Sequence, residues 1–125
     1  MNTKQRIEEF TLEGKNFIYY DLSEFKTNED EFVVFTKAAK EHITKYAEHS
    51  VLTITNIKDV RFDSGAKNIV VDWMEYNKPY VKFGTVIGFD GIKKIMVNTI
   101  IKLSGRKNMA FISNKEQAIE FLLKQ

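Results

Sequence analysis

The feature that most constrains the fold is a repeated change of hydrophobic period along the chain. Short runs rich in β-branched and aromatic residues, such as residues 51–56, alternate with longer segments whose apolar residues recur at helical spacing. Strands that alternate with helices predict right-handed crossovers and a mainly parallel sheet. The predicted order is β-β-α-β-α-β-α-β-α, an α/β fold in which the first strand is antiparallel because it forms a hairpin with the second.

Turn and cap residues divide the chain into these elements. Strands are predicted at residues 7–12, 17–21, 51–56, 80–88 and 109–112, and helices at residues 28–46, 66–76, 92–103 and from 113 onwards. Asn28 with Glu31 and Ser113 with Glu116 have the spacing of capping boxes. Gly105 supplies the left-handed conformation that ends the third helix.

Length and composition exclude several classes of protein. A chain of 125 residues, 43% of them hydrophobic, is long enough for one core and too short for two, so a single domain over residues 1–125 is predicted. The absence of cysteine excludes disulfide frameworks and thiolate metal sites. The 19 basic and 17 acidic residues are interspersed, which argues against nucleic-acid binding. No signal peptide or transmembrane segment is apparent, and we expect a cytoplasmic protein.

The tripeptide Asp63-Ser64-Gly65 lies between the strand at residues 51–56 and the helix at residues 66–76. In one interpretation, Asp63 or Ser64 is a helix N-cap, whose oxygen accepts a hydrogen bond from a free amide and contributes about 1 kcal/mol. In the other, Ser64 is a phosphoacceptor, because the N-terminus of a helix stabilises a phosphate. Both interpretations stay open, and the cap is the favoured one.

Three features resemble the STAS domain, the SpoIIAA-like anti-sigma-factor antagonist superfamily. They are the order of elements, the position of Asp63-Ser64-Gly65 after the third strand, and the C-terminal run at residues 100–118. The chain is most similar to small stand-alone SpoIIAA-like proteins, through a helix start at residues 91–94 and a helix end at residues 104–106. The resemblance extends over about residues 15–125.

The resemblance implies a non-catalytic regulatory module that binds a protein partner, such as a kinase-like anti-sigma factor or another regulator. In the family, a Ser or Thr before the Gly that opens the second helix is phosphorylated, and Ser64 matches that position. Asp63, Ser64 and Gly65 would then form the interaction loop. The family motif is Asp-Ser-Ser/Ala-Gly-Leu, whereas this chain is one residue shorter and has Ala66 in place of Leu.

The helix at residues 92–103 is apolar over more than one face. Its main stripe, predicted to point inward, consists of Ile92, Ile95, Met96, Thr99, Ile100 and Leu103. Further apolar residues extend beyond this stripe, and basic residues surround it. A wide buried helix is one interpretation, and a surface for a protein partner or for peripheral contact with anionic lipid is the other. The candidate surface residues are Lys93, Lys94, Val97, Ile101 and Arg106.

A second function class follows from the aromatic content. The aromatic residues in question are Phe10, Phe17, Tyr19, Tyr20, Phe25 and Trp73. They either fill the core or line a pocket for a lipophilic ligand, with the helix at residues 92–103 as its lid or wall. The alternative to a regulatory module is therefore a small lipophilic-ligand or lipid carrier.

No motif indicates an enzyme, a metal or a cofactor. His42 and His49 are two helical turns apart, about 10 Å, which is too far to share a metal ion without other ligands. Gly84, Gly88 and Gly91 match no phosphate-binding motif, and Asp90 would repel an anion among them. We therefore expect no catalytic residue, no metal site and no cofactor.

Overall fold

The fold consists of a five-stranded sheet and four α-helices. The computed structural model describes residues 2–25, 29–61 and 63–125, without the side chains of Glu29 and Ser64. The strands are β1 (Ile7–Leu12), β2 (Lys15–Asp21), β3 (Val51–Asn56), β4 (Val81–Ile87) and β5 (Met109–Phe111). The helices are α1 (Glu29–Ile43), α2 (Ser64–Asn77), α3 (Gly91–Ser104) and α4 (Lys115–Leu123), and a short 3-10 helix, Thr3–Arg6, precedes β1.

The strands follow one another across the sheet in the order β1-β2-β3-β4-β5. β1 and β2 are antiparallel, and every later pair is parallel. The predicted α/β fold, with a mixed but mainly parallel sheet and four helices, is thereby confirmed. Because the parallel strands advance in one direction and their crossovers have one hand, α1, α2 and α3 cover one face of the sheet. α4 covers the other face.

The three-helix face holds the larger part of the core. Alternate strand residues such as Ile18 and Tyr20 point to this face because side chains alternate along a strand. Phe35 of α1 and Trp73 of α2 meet Tyr20 there in edge-to-face contacts, with ring centroids 6.2 Å and 4.9 Å from the Tyr20 ring. These rings fix α1 and α2 against β2.

The opposite face is smaller and is packed mainly by aliphatic residues. Phe17, Leu52 and Ile54 belong to it, and α4 adds Ala118 and Leu122, all buried. The Phe10 and Phe17 rings stack on this side with centroids 5.0 Å apart. These contacts account for the position of α4.

The helix ends show which predicted caps are real. Gly105 ends α3 with φ 73°, the left-handed conformation that was predicted. The prediction for α4 was wrong by one residue: the Asn114 side chain, not that of Ser113, accepts a hydrogen bond from the Gln117 amide at 2.9 Å. Asn28, the predicted cap of α1, lies outside the described residues.

Candidate functional site

A cavity of about 50 Å³ lies between the three-helix face of the sheet and helices α2 and α3. Because side chains alternate along a strand, Tyr20, Thr53 and Thr55 point to the same face of the sheet and line the cavity from that side. Side chains of α2 and α3 form the opposite wall. Its side chains come from Val70, Trp73, Met74 and Asn77 of α2 and from Val97 and Ile100 of α3.

Gly84 in β4 leaves room for a side chain of the neighbouring strand in the cavity wall. A Cβ atom at this position would lie 2.5 Å from Met109 Sδ and 2.8 Å from Thr53 Oγ1. Glycine therefore allows the Met109 side chain of β5 to lie directly over β4, where it lines the cavity. The absence of a side chain at Gly84 serves packing at this point.

Three polar atoms in the cavity wall have no hydrogen-bond partner among the residues that the structure describes. They are the Tyr20 hydroxyl, Trp73 Nε1 and Asn77 Oδ1. All three side chains are buried. An unpartnered buried polar group costs about 1–3 kcal/mol, so three in one cavity are an unusual concentration of unfavourable free energy.

Burial keeps the Tyr20 phenol neutral. Burial raises the pKa of Tyr20 well above its ordinary value of 10.0, and the charge of Glu9 raises it further. Asn77 lies close enough to lower the pKa in part, although the Tyr20 hydroxyl and Asn77 Oδ1 do not meet with hydrogen-bond geometry. Tyr20 therefore keeps a hydroxyl proton that it can donate into the cavity.

Arg106 also lines the cavity and is 6% exposed. Its Nε donates to Asn108 Oδ1 at 3.1 Å, Nη1 to the Met74 carbonyl at 3.4 Å, and Nη2 contacts Met109 Sδ at 3.1 Å. None of these acceptors carries a charge. Burial lowers the pKa of Arg106 to about 10, so the guanidinium stays protonated at neutral pH. The cavity therefore contains a cation that no described carboxylate neutralises.

The local chain positions this guanidinium. Gly105 turns the chain out of α3, and the Arg106 amide donates to the Ile101 carbonyl at 3.3 Å. The Asn108 side chain is fixed in turn by donating to the carbonyls of Val81 and Lys82 at 3.0 Å and 2.9 Å. The helix end and the start of β5 thus hold Arg106 against α2.

The structure corrects the predicted surface on α3. Val97 and Arg106, two of the candidate surface residues, are buried, whereas Ile92, Ile95 and Leu103 of the main apolar stripe are 82%, 71% and 55% exposed. The reason is that α3 is apolar nearly all round, so its period does not determine which face packs; Val97, Ile100 and the small Ser104 face the core.

The exposed face of α3 nevertheless has a basic border. The remaining predicted members are Ile101 and Lys93, which are half-buried, and Lys94, which is exposed. Lys94 Nζ lies 5.6 Å and 5.4 Å from the ring centroids of Phe89 and Phe111. No acidic residue occurs at residues 91–115. Contact of this face with a partner or with anionic lipid stays a prediction.

The loop before α2 has a defined cap. The Asp63 side chain accepts from the Ala66 amide at 2.8 Å, so Asp63 is the N-cap. The alternative in which Ser64 caps the helix was wrong, because Ser64 is the first residue of the helix itself. Asp63 is exposed and Gly65 half-buried. Thirteen residues separate Ser64 from Asn77, about 20 Å of helix, so this loop and the polar end of the cavity are far apart.

The weaker sequence candidates have structural roles. His42 Nδ1 lies 2.8 Å from Glu9 Oε2, and no group of metal-binding side chains occurs within residues 2–25, 29–61 and 63–125. Asp90 caps α3 by accepting from the Lys93 amide at 2.9 Å. Its carboxylate thus lies where a phosphate would have to bind.

Of the aromatic residues predicted to line a pocket, Tyr20 and Trp73 reach the cavity. Phe10, Phe17 and Tyr19 pack on the α4 face instead. Asn77 was not predicted as a site residue, and Arg106 was a candidate for the surface. An Arg directly after a helix-ending Gly has no sequence signal that distinguishes a buried from an exposed side chain.

No family model and no curated protein matches this chain. Among the described residues, no helix has the length and apolar character needed to cross a membrane.

Proposed function

We propose that this chain is a non-catalytic domain that binds a small, largely apolar ligand in the cavity between the sheet and helices α2 and α3. The observation that supports the proposal is the coincidence of an apolar cavity with three unpartnered polar atoms in its wall. Binding sites for small molecules are typically concave and apolar with a few convergent polar groups. Packing alone gives no reason for these polar groups to be buried together.

The lipophilic part of the site is formed by Val86 of β4 and by Val97 and Ile100 of α3. A ligand that covers these side chains removes apolar surface from water, with about 25 cal/mol gained per Å². The volume of about 50 Å³ favours a small or narrow ligand over a bulky one. α3 is a wall of this site, in agreement with the role expected for the helix in a carrier.

Native mass spectrometry of the freshly purified chain tests this proposal, because a bound ligand adds a defined mass. Val97→Phe should fill the cavity and abolish the added mass, since Val97 lines it. Ile95→Phe is the matched control on the exposed side of the same helix and should retain the ligand. Protein without ligand that also binds no member of a panel of small lipophilic compounds would contradict the proposal.

A second candidate function is the STAS-type interaction module, with Asp63, Ser64 and Gly65 as the contact loop. Its support is the first turn of α2, which has Ser64 at its first position and no acidic residue within it. A phosphate on Ser64 would lie beside free amides of the helix N-terminus. The Asp63 carboxylate already occupies one of these amides and would repel the phosphate.

Phosphorylation and partner binding can be measured separately for this candidate. Mass spectrometry of the chain isolated from its own cells should find phosphate on Ser64. Ser64→Glu should change the affinity for a co-purifying regulator, whereas Ser113→Glu, at an exposed serine on another loop, should not. An unmodified Ser64, together with equal partner affinity of Ser64→Ala and Ser64→Glu, would remove the loop from consideration.

A further inference from the structure

We propose that the ligand of this cavity is a monocarboxylate, whose carboxylate pairs with Arg106 while its apolar part lies along α3. This inference rests on the proposed ligand-binding function and adds the chemical class of the ligand. The observation that carries it is a buried guanidinium whose acceptors are all neutral.

Arg106 has N–H donors left for the two oxygens of a carboxylate. A guanidinium has five N–H donors in a planar fork. Three contacts, to Asn108, Met74 and Met109, use one donor each, and the contact to the Met109 sulfur is a weak one. Two N–H groups are left for a carboxylate, which arginine binds through two parallel hydrogen bonds.

The neighbouring unpartnered groups fit an acceptor. The Tyr20 hydroxyl and Trp73 Nε1 are hydrogen-bond donors that have no acceptor within the described part of the chain, and an ionised carboxylate only accepts. Asn77 presents Oδ1, but a half-turn of its side-chain amide would present the NH₂ group instead. A carboxylate would thus satisfy several groups that the folded chain leaves unpaired.

Charge limits the ligand to a single negative charge. Among the residues that the structure describes, Arg106 is the one Lys or Arg in the cavity wall. A dianionic phosphate head would therefore bring an unneutralised charge into an apolar site, whereas a monocarboxylate balances Arg106. The wall also has an apolar part, with Val86, Val97 and Ile100, which suits a short hydrocarbon part.

A comparison of head groups at constant hydrocarbon length tests the proposal. The unaltered chain is titrated with propionate, propan-1-ol and propylamine, which are short enough for a cavity of about 50 Å³, and the N–H resonances of Trp73, the single tryptophan, and of Arg106 are followed by NMR. Propionate should bind saturably and shift both resonances. Propan-1-ol should bind about tenfold to a hundredfold more weakly, because it lacks the charge-assisted hydrogen bonds, and propylamine should not bind.

Substitution of the arginine provides the second arm. Arg106→Met should weaken propionate binding by about tenfold to a hundredfold and leave propan-1-ol binding unchanged. Arg61→Met, at an exposed arginine, is the matched control and should bind propionate normally. If Arg106→Met does not fold, the comparison of head groups on the unaltered chain decides.

The outcomes separate the two proposals. Equal affinity for propionate and propan-1-ol would overturn carboxylate recognition and leave a lipophilic binding site in place. Propionate binding that survives Arg106→Met would overturn the role of Arg106. If neither compound binds, or if sodium chloride produces the same shifts as sodium propionate, both the carboxylate and the ligand-binding function are overturned.

Discussion

Two charged groups of this molecule, Glu9 and Arg106, have opposite environments. The Glu9 carboxylate accepts hydrogen bonds from the Tyr46 hydroxyl at 2.7 Å, from His42 Nδ1 at 2.8 Å and from Lys45 Nζ at 3.2 Å. Arg106 is more deeply buried and has no charged partner among the described residues. The difference shows that side chains of this fold neutralise the charge of Glu9, whereas no described side chain neutralises the charge of Arg106.

The pKa values show the same contrast. Burial raises the pKa of Glu9, but the hydrogen bonds from Tyr46, His42 and Lys45 together outweigh it, so the pKa lies below 4.5. At Arg106 burial is the main influence and lowers the pKa to about 10. Glu9 is thus stabilised in its charged form, whereas the charged form of Arg106 is disfavoured by its surroundings.

The largest expected effect comes from removing the satisfied charge. Glu9→Ala should lower the free energy of unfolding by about 2 kcal/mol, because it leaves the half-buried Tyr46 hydroxyl and His42 without their acceptor. Urea denaturation measures this. Glu8→Ala is the control on the same strand: Glu8 is exposed, lies 3.7 Å from Lys115, and should change stability by less than about 0.5 kcal/mol. Equal losses for both variants would show that the Glu9 contacts contribute little.

A smaller effect follows from acid titration of Glu9. The folded pKa is below the unfolded value of 4.5, so as the pH falls the unfolded chain takes up the proton first. The stabilisation is therefore present above about pH 4.5 and is lost as the pH falls through the folded pKa. In Glu9→Gln the free energy of unfolding, measured by urea denaturation at each pH, should depend less steeply on pH below about pH 4.5. An unchanged acid limb in Glu9→Gln would mean that other carboxyl groups determine it.

A still smaller effect on stability is expected at Arg106. Arg106→Met keeps an apolar side chain of similar length and removes an unneutralised buried charge, so the free energy of unfolding should change by less than about 1 kcal/mol in either direction. Arg6→Met is the control, because Arg6 donates to the carbonyls of Asp21 and Ser23 at 2.9 Å and 3.0 Å and should cost more. A loss above about 2 kcal/mol for Arg106→Met would show a structural role and weaken the comparison with Glu9.

The smallest effect is a change of pKa without a change of fold. Burial and the hydrogen bond to Glu9 raise the pKa of Tyr46 to about 12. Glu9→Gln removes the charged acceptor but not the burial, so the pKa of Tyr46 should fall below 12 and stay above 10.0. NMR titration of the Tyr46 ring resonances in the unaltered chain and in Glu9→Gln measures it. A pKa that does not move would contradict the assigned contact.

The sequence predicted the order and type of the elements because these depend on local patterns. The strand Val51–Asn56 and the cap at Gly105 were predicted correctly from alternation and from the glycine. The inner face of α3 was predicted wrongly, because apolar residues surround that helix and only tertiary packing selects Val97 over Ile95. Local patterns are therefore enough to predict the strands and helices, but not to predict which face of a helix is buried.

The site was predicted less completely than the fold. Tyr20 and Trp73 were expected in a pocket because of their aromatic character, but Asn77 and Arg106 become wall residues only when the segment between α3 and β5 packs against α2. Arginine is ordinarily exposed, so its burial here is a property of the assembled fold. Membership of the STAS family and phosphorylation of Ser64 stay predictions.

The position of β5 has a consequence for motion. β5 has three residues, lies at the edge of the sheet and pairs only with β4, and the chain enters it from Arg106. Short edge segments open at lower free energy than central strands. The wall that carries the guanidinium can therefore separate from β4 while β2, β3 and β4 stay paired. Such a local opening of the sheet edge would widen access to the cavity without unfolding of the core.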